Sequence, residues 1–301
     1  MEGKRLDTYI AYIHNISRSK AQKLIQNKCI KLHGCVITDN DYAVKPGEEY
    51  VVDSIKSDDT TDISPNFNIK LDVVYEDDYI IIINKQSGIT VHPGAGTNND
   101  TLLNAVIACF PYSKPGIVHR LDKETSGLMV IAKNEESHTF LSTLLSKRII
   151  KREYLAVVWG TLSPLYETIK TYIAPKRSNR KIMCVTKAIG KSAITHYSVK
   201  KPIGKASLVN CKLETGRTHQ IRVHMSHIGH SIVGDQVYGK NSSKSARYAK
   251  QSHFICNFKR QALHAYKLGF YHPKSQEYIE FKSDLPYDMK TLISEFENLV
   301  I

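Results

Sequence analysis

The stretch Gly116-Ile117-Val118-His119-Arg120-Leu121-Asp122-Lys123-Glu124-Thr125-Ser126-Gly127-Leu128 constrains this chain more than any other. One carboxylate, Asp122, stands between two apolar-rich segments, 116–121 and 128–132. Apolar flanks imply burial, and a buried carboxylate is costly unless a cation or several donors meet it. A fold that buries this segment must supply such a partner. The alternative is a carboxylate that caps its own turn, with Thr125 and Ser126 serving the backbone.

The surrounding pattern is that of a mixed protein. Leu6, Tyr9, Ile10, Ile13 and Ile16 recur at helical spacing, so Arg5 to Asn15 is predicted helical. Ser17 is placed to cap a second helix, Arg18 to Asn27, with Ala21, Leu24 and Ile25 inward. Arg18, Lys20, Lys23 and Lys28 lie on or beside its outer side. Short strands are expected near Ile30–Leu32, Cys35–Ile37 and Glu49–Ile55, with Gly34 and Pro46-Gly47 at turns. Residues 1–57 thus form one small unit. Residues 58–69 are polar, acidic and poor in large apolar groups, and are read as a connector.

A larger domain, 70–301, follows. Strands are expected at Val73–Tyr75, Tyr79–Ile83, Leu128–Ala132, Tyr154–Gly160, Leu208–Leu213, Gln261–Phe270 and Tyr278–Phe281. Helices are expected at Thr101–Cys109, at Glu136–Lys147, after Thr218, and at Met289–Leu299. From Lys176 to Lys205 the chain carries nine Lys or Arg and no acidic residue, a candidate phosphate-facing surface with no strand assigned. Residues 241–253 read as a polar, basic surface excursion.

Charge points to the partner. A formal net charge of +13 favours a polyanion, nucleic acid before acidic membrane. No apolar run approaches the roughly 20 residues that span a bilayer, and the amino terminus has no signal-peptide core. The six cysteines form no C-x-x-C pair. A cytoplasmic protein with reduced thiols and no membrane partner is expected.

Several chemistries fail on inventory. There is no H-E-x-x-H and no G-x-S-x-G. The loop Val91-His92-Pro93-Gly94-Ala95-Gly96 lacks the G-x-x-x-x-G-K-[ST] spacing of a nucleotide cradle. His219, His224, His227 and His230 cluster, yet no carboxylate or thiol stands at a matching spacing until Asp235, and zinc asks for three or four converging ligands. No metal and no nucleotide cofactor are expected.

What remains is one buried-looking carboxylate, several arginines near strand ends and a tyrosine after a basic run. At this point three ordered motifs resemble those of the RluA family of RNA pseudouridine synthases. They are His119 to Leu128, Lys151-Arg152-Glu153-Tyr154-Leu155-Ala156, and Thr215-Gly216-Arg217-Thr218-His219-Gln220-Ile221-Arg222-Val223-His224. Gly234-Asp235 with Tyr238-Gly239, and Leu263-His264-Ala265, match further, and the loop 91–96 looks most like the RluD branch, which modifies large-subunit ribosomal RNA. Residues 1–57 resemble an S4 RNA-binding domain through Arg5-Leu6-Asp7, Ser17-Arg18-Ser19, Lys23-Leu24-Ile25, Gly34 and Gly47-Glu48-Glu49-Tyr50-Val51. Two positions depart from that pattern: Lys28 stands where Gly is usual, and His33 where Asn is usual. The first asks a non-glycine residue to take a turn conformation.

The resemblance implies an α+β fold: a small S4-like domain of αL type, then a catalytic domain on a mostly antiparallel mixed sheet. It implies an isomerase that cleaves the uracil N1–C1′ bond, turns the base and rejoins it through C5, without a cofactor. Asp122 would be the catalytic carboxylate, as nucleophile at C1′ or C6 or as a base at the C2′ proton. Arg222 would pair with it, and Tyr154 would pack on the uracil. Arg120 would fill the gap left by the flipped nucleotide. His119, Thr125, Arg217, His219 and Gln220 would contact substrate, and Leu268 would wall the uracil pocket. In the S4-like unit Arg5, Arg18, Ser19, Lys20 and Lys23 would meet RNA. The partner would be ribosomal RNA, free or in a pre-ribosomal particle, met by a monomer. Transfer RNA as substrate, or a non-catalytic ribosome-assembly role, are the alternatives.

Overall fold

The computed structural model describes residues 3–14, 16, 18–52, 63–94, 99–111, 115–239 and 252–299, without the side chains of Ser19 and Lys20. Ser17, the expected cap, residues 53–55 of the third expected strand, residues 58–62 of the connector, Ala95 and Gly96, and residues 241–251 of the surface excursion lie outside the described residues. The chain divides into two units, 1–62 and 63–301. Among the described residues no helix is long and apolar enough to cross a membrane.

In the first unit, α1 (Leu6–Ile13) and α2 (Arg18–Gln26) precede β1 (Ile30–Leu32), β2 (Cys35–Val36) and β3 (Tyr50–Val52). The strands form an antiparallel sheet in the order β2-β1-β3. Leu6 and Ile10 from the first helix meet Ala21, Ile25, Ile30 and Val44 in one small core. Lys28 takes φ 63° and His33 φ 49°, so both departures from the S4 pattern occupy the left-handed region.

The second unit is built on one large sheet. Its elements run β4 (Val73–Glu76), β5 (Ile80–Lys85), α3 (Leu102–Cys109), β6 (Gly116–Ile117), β7 (Ser126–Ala132), α4 (Glu135–Ser146) and β8 (Lys151–Trp159). Then come β9 (Tyr166–Lys176), β10 (Asn179–Thr186), β11 (Lys191–Ile203), β12 (Ala206–Leu213), α5 (Gln220–His227), α6 (His253–Asn257), β13 (Leu263–Tyr271), β14 (Tyr278–Lys282) and α7 (Tyr287–Glu297). The order is β10-β9-β11-β12-β8-β13-β7-β5-β4, with β14 beside β13 and β6 beside β7. Only the β13–β7 pairing is parallel among those described; the rest are antiparallel.

The central strands β5, β7, β8 and β13 carry near-continuous apolar runs because the sheet is covered on both faces. One core gathers Ile81, Ile83, Met129, Ile131, Tyr154, Ala156 and Leu263. The other gathers Ile80, Ile82, Leu128, Val130, Leu141, Leu268 and Phe270. The alternation along β5 and β7 sends neighbouring residues to opposite cores. Helix α4 begins where Asn134 accepts the Ser137 amide at 2.9 Å, with Glu135 and Glu136 facing the positive end of the helix dipole. Gly127 sits where β7 meets β13: a Cβ there would stand 2.3 Å from the Ala265 carbonyl oxygen. Only glycine lets these two strands, and with them the loop at 122–125, come this close.

The basic run forms β10, all of β11 and the last residue of β9, an antiparallel extension with a register shift between Asn179 and Met183. Sequence periodicity did not mark it, because its outward face is charged and few of its residues are buried.

Candidate active site

A cleft of about 280 Å³ opens where the 118–125 segment, β8 and the start of α5 converge. Asp122, Arg120, His119, Thr125, Tyr154, Arg217, His219, Gln220 and Arg222 all line it. Leu268 does not. It packs in the opposite core, with Ile80 and Leu128, and Leu263 lines the cleft instead. The two leucines stand five positions apart on β13, an odd offset, and a strand sends such positions to opposite faces. The expectation that Leu268 walls the pocket is corrected accordingly.

The loop that presents Asp122 is pinned through its backbone. The Thr125 amide donates to the Asp122 carbonyl at 3.0 Å, and Gln261 donates to the Thr125 hydroxyl at 3.1 Å. Arg260 donates to the Glu124 carbonyl at 3.3 Å. Beneath the loop lies Lys85, 1% exposed, whose Nζ donates to the carbonyls of Gln86, Ile89 and Lys123 at 2.8, 2.9 and 3.0 Å. Burial pushes the Lys85 ammonium down to about 7, while the carboxylates of Glu124 and Asp122 act against that shift. Lys85 ends a strand in the sequence and has no motif of its own there, so nothing in its spacing marked it.

Arg222 Nη1 donates to Asp122 Oδ2 at 2.9 Å, which joins two residues a hundred positions apart. The arginine is in turn bonded to Asp235, Nε to Oδ2 at 2.7 Å and Nη2 to Oδ1 at 3.0 Å. Asp235 is fully buried, and its Oδ1 also accepts the amides of Val237 and Tyr238. Burial disfavours charge on both groups, yet their mutual hydrogen bonds prevail: Arg222 is held above its usual value and Asp235 below its own. The ring of Tyr238 lies 5.0 Å from the guanidinium. Sequence reading matched Gly234-Asp235 to the family without giving Asp235 a role, and so missed it as the second carboxylate of this pair.

His219 caps α5 at φ 56°, a strained setting for a residue other than glycine. Its Nδ1 is hydrogen-bonded to the Tyr238 hydroxyl at 2.7 Å, and its Nε2 lies 3.8 Å from Asp122 Oδ1. Burial holds its pKa below the usual histidine value. Gln220 faces inward: it accepts from Thr215 and the Arg217 amide and donates to Ile194 and Thr195, which fixes the start of the helix. Arg217 Nε donates to the Ser192 carbonyl at 3.0 Å. Arg120 is exposed. Tyr154 is buried at the centre of the sheet, opposite Cys211 and Ala265, and burial raises its phenol above the usual value.

His224 bonds to Thr171 and Thr195 through its two ring nitrogens, and His230 Nδ1 donates to the Trp159 carbonyl. In the first unit, Arg5 and Arg18 both reach the buried carboxylate of Asp7 at 3.0 Å, and Lys23 is exposed near the end of α2. The side chains of Ser19 and Lys20 lie outside the described residues.

Residues 79–227 match the family model for RNA pseudouridylate synthase, and residues 4–49 that for the S4 domain. The chain is 40% identical, over 97% of its length and 93% of the relative's, to the ribosomal large subunit pseudouridine synthase D of Zymomonas mobilis. It is 38% identical to the RNA pseudouridine synthase YlyB of Bacillus subtilis, over 99% and 95% of the two chains. Its fold resembles the solved human RNA pseudouridylate synthase domain containing 4, at a TM-score of 0.61 and 22% identity, over 74% of this chain and 92% of that one.

Proposed function

The chain belongs to the RNA pseudouridylate synthase family, and we propose that it converts uridine to pseudouridine in large-subunit ribosomal RNA, with Asp122 as the catalytic carboxylate. It is an RNA-modifying isomerase with an S4 domain. The choice of ribosomal RNA rests on relatives that are ribosomal large subunit pseudouridine synthases, 40% identical over nearly the whole length. We place it in the cytoplasm as a monomer, acting on free RNA or on a pre-ribosomal particle.

One observation carries the assignment of roles. Asp122 is the carboxylate of the cleft, still 22% exposed, and a buried arginine fixes its orientation. Such a charge-assisted hydrogen bond aims the carboxylate into the cleft. The uracil, turned out of its stack, would enter beside Tyr154, with Asp122 facing the sugar or C6. Arg120, exposed at the cleft, would fill the gap in the stack, since a planar guanidinium both stacks and bonds phosphate. Thr125 and Gln220 hold the loop and the helix that carry the reacting groups. Arg217 and His219 border the substrate, and Arg5, Arg18, Ser19, Lys20 and Lys23 would add phosphate contacts from the S4 unit.

The test is to incubate the purified protein with large-subunit ribosomal RNA and with transfer RNA, then map pseudouridines. New sites are expected in the ribosomal RNA. Asp122→Ala should abolish them while RNA affinity stays within a few-fold of the parent. Appreciable turnover by that variant would overturn the catalytic assignment, and modification of transfer RNA alone would overturn the substrate.

A further inference from the structure

Two buried nitrogen donors in the cleft have no acceptor among the described residues, Nδ1 of His119 and Nε of Arg152. Both side chains are more than nine-tenths enclosed, at 9% and 7% exposure, and both line the cleft. His119 Nε2 accepts the Val130 amide at 3.2 Å. The ring proton therefore sits on Nδ1, which makes that atom a donor. Burial, with the charge of Arg152 nearby, pushes His119 down to about 3, so the imidazole is neutral at any physiological pH.

Arg152 makes no ion pair and no hydrogen bond among the described residues. It stands two residues before Tyr154 on β8, so both side chains leave the same face of the strand. The backbone opposite makes room for it: a Cβ on Gly216 would lie 2.5 Å from Arg152 Nη1. A buried guanidinium without a partner destabilises a fold, and a chain that keeps one has a use for the charge. Two donors and one positive charge require an acceptor that is negative or becomes so.

We infer that Arg152 and His119 donate to a carbonyl oxygen of the uracil, O2 or O4, and hold the negative charge that gathers there as the glycosidic bond breaks. The inference rests on the uridine reading above. The step balances. The N1–C1′ electron pair leaves with the base and spreads onto O2 and O4. C1′ bonds to Asp122, or shares a double bond with C2′ as the C2′ proton passes to Asp122. If Asp122 adds first to C6, the displaced pair rests on O4 instead. In the end C5 bonds to C1′ and gives up its proton, and N1 gains one. A donor set already in place where charge develops is the arrangement that lowers such a barrier most. A phosphate is the negatively charged acceptor that RNA carries, but it suits the exposed Arg120 better than two enclosed donors beside Tyr154.

The test uses Arg152→Gln and Arg152→Met in the full chain, on an RNA that the parent modifies. Turnover should fall about 10²- to 10³-fold, the usual effect of removing one such donor. RNA affinity and its salt slope should stay as they were. With 2-thiouridine or 4-thiouridine at the target, sulfur accepts hydrogen bonds poorly. The parent should slow with the analogue whose oxygen is held, and Arg152→Gln should slow no further. Arg152→Met should melt at or above the parent, because an unpaired buried charge has gone. Unchanged turnover with a salt slope lower by about one would assign Arg152 to a phosphate and overturn the inference. A lower melting temperature with a matching loss of active protein would overturn it by making the residue structural. If the parent forms no pseudouridine on any RNA, the uridine reading is what fails, and this inference falls with it.

Discussion

Asp235 grips Arg222 from behind, accepting Nε at 2.7 Å and Nη2 at 3.0 Å, and so leaves Nη1 to meet Asp122 at 2.9 Å. The carboxylate of Asp122, proposed above as the catalytic one, therefore takes its orientation from a second carboxylate that never faces the cleft. Asp235 is itself fixed by the amides of Val237 and Tyr238, so the turn after α5 sets the geometry of the site.

Removing that support should be expensive. Asp235→Ala leaves a guanidinium that is 6% exposed with one partner in place of two. Breaking a buried pair from one side costs about 3–5 kcal/mol, and thermal melting should show it. Asp235→Asn keeps an acceptor of the same shape and should fold. Its turnover should still drop, because the arginine is no longer held from both sides, while KM changes little. Parent-like turnover in Asp235→Asn would mean that Asp122 alone fixes the arginine.

Much of this site was legible in the sequence, for a physical reason. Asp122, Tyr154 and Arg222 each lie inside a dense motif, and a carboxylate set between apolar segments demanded a cation that the third motif could supply. Lys28 was legible too, since a turn that suits glycine forced φ 63° on it. Asp235 was not, because a Gly-Asp pair followed by Tyr-Gly reads equally well as an ordinary turn. Lys85 ends an apolar strand, where a lysine normally marks the return to solvent, and only the fold shows it buried under the Asp122 loop. Leu268 went astray because a strand of leucine and phenylalanine offers apolar side chains to both faces. Strands β9 to β11 were hidden by their charge, since alternation of exposed lysine with half-buried residues leaves no apolar rhythm.

Lys85 gives a second expectation. Its ammonium is the donor to three backbone carbonyls, and one of them, Lys123, is the residue after Asp122. Lys85→Met fits the space but leaves those oxygens short of a donor, at about 1–3 kcal/mol for each one left unsatisfied. Loss of stability alone would lower the melting temperature and leave the surviving folded protein fully active. The position of Lys123 argues for more: turnover per folded molecule should fall as well, because the Asp122 loop loses its floor. Measuring active-site titre beside melting separates the two. Full activity per folded molecule would show that the Gly88 amide, which also donates to the Lys123 carbonyl at 2.9 Å, holds the loop unaided.

The S4 unit should carry its own pH dependence through Asp7. This carboxylate is fully buried and accepts from Arg5 at 3.0 Å, Gln22 at 2.6 Å, Arg18 at 3.0 Å and Thr8 at 3.1 Å. Burial alone would raise its pKa; the hydrogen bonds, led by that of Arg5, outweigh burial and hold it well below the usual carboxylate range. The sign follows. A carboxylate whose pKa is lower folded than unfolded stabilises the fold fully above its unfolded value, near 4, and loses that stabilisation as pH falls toward the folded value. Asp7→Asn cannot titrate. At pH 7 it should destabilise the unit by about 2 kcal/mol, the scale of hydrogen bonds to a charged group. Amide hydrogen exchange in α1 and α2, compared between the two proteins at each pH, reads this unit alone. The gap in protection should be wide at pH 7 and begin to close below about pH 4. A gap that stays constant down to pH 2 would mean that the charge on Asp7 does nothing for the fold, and that shape alone holds Arg5 and Arg18 where they lie.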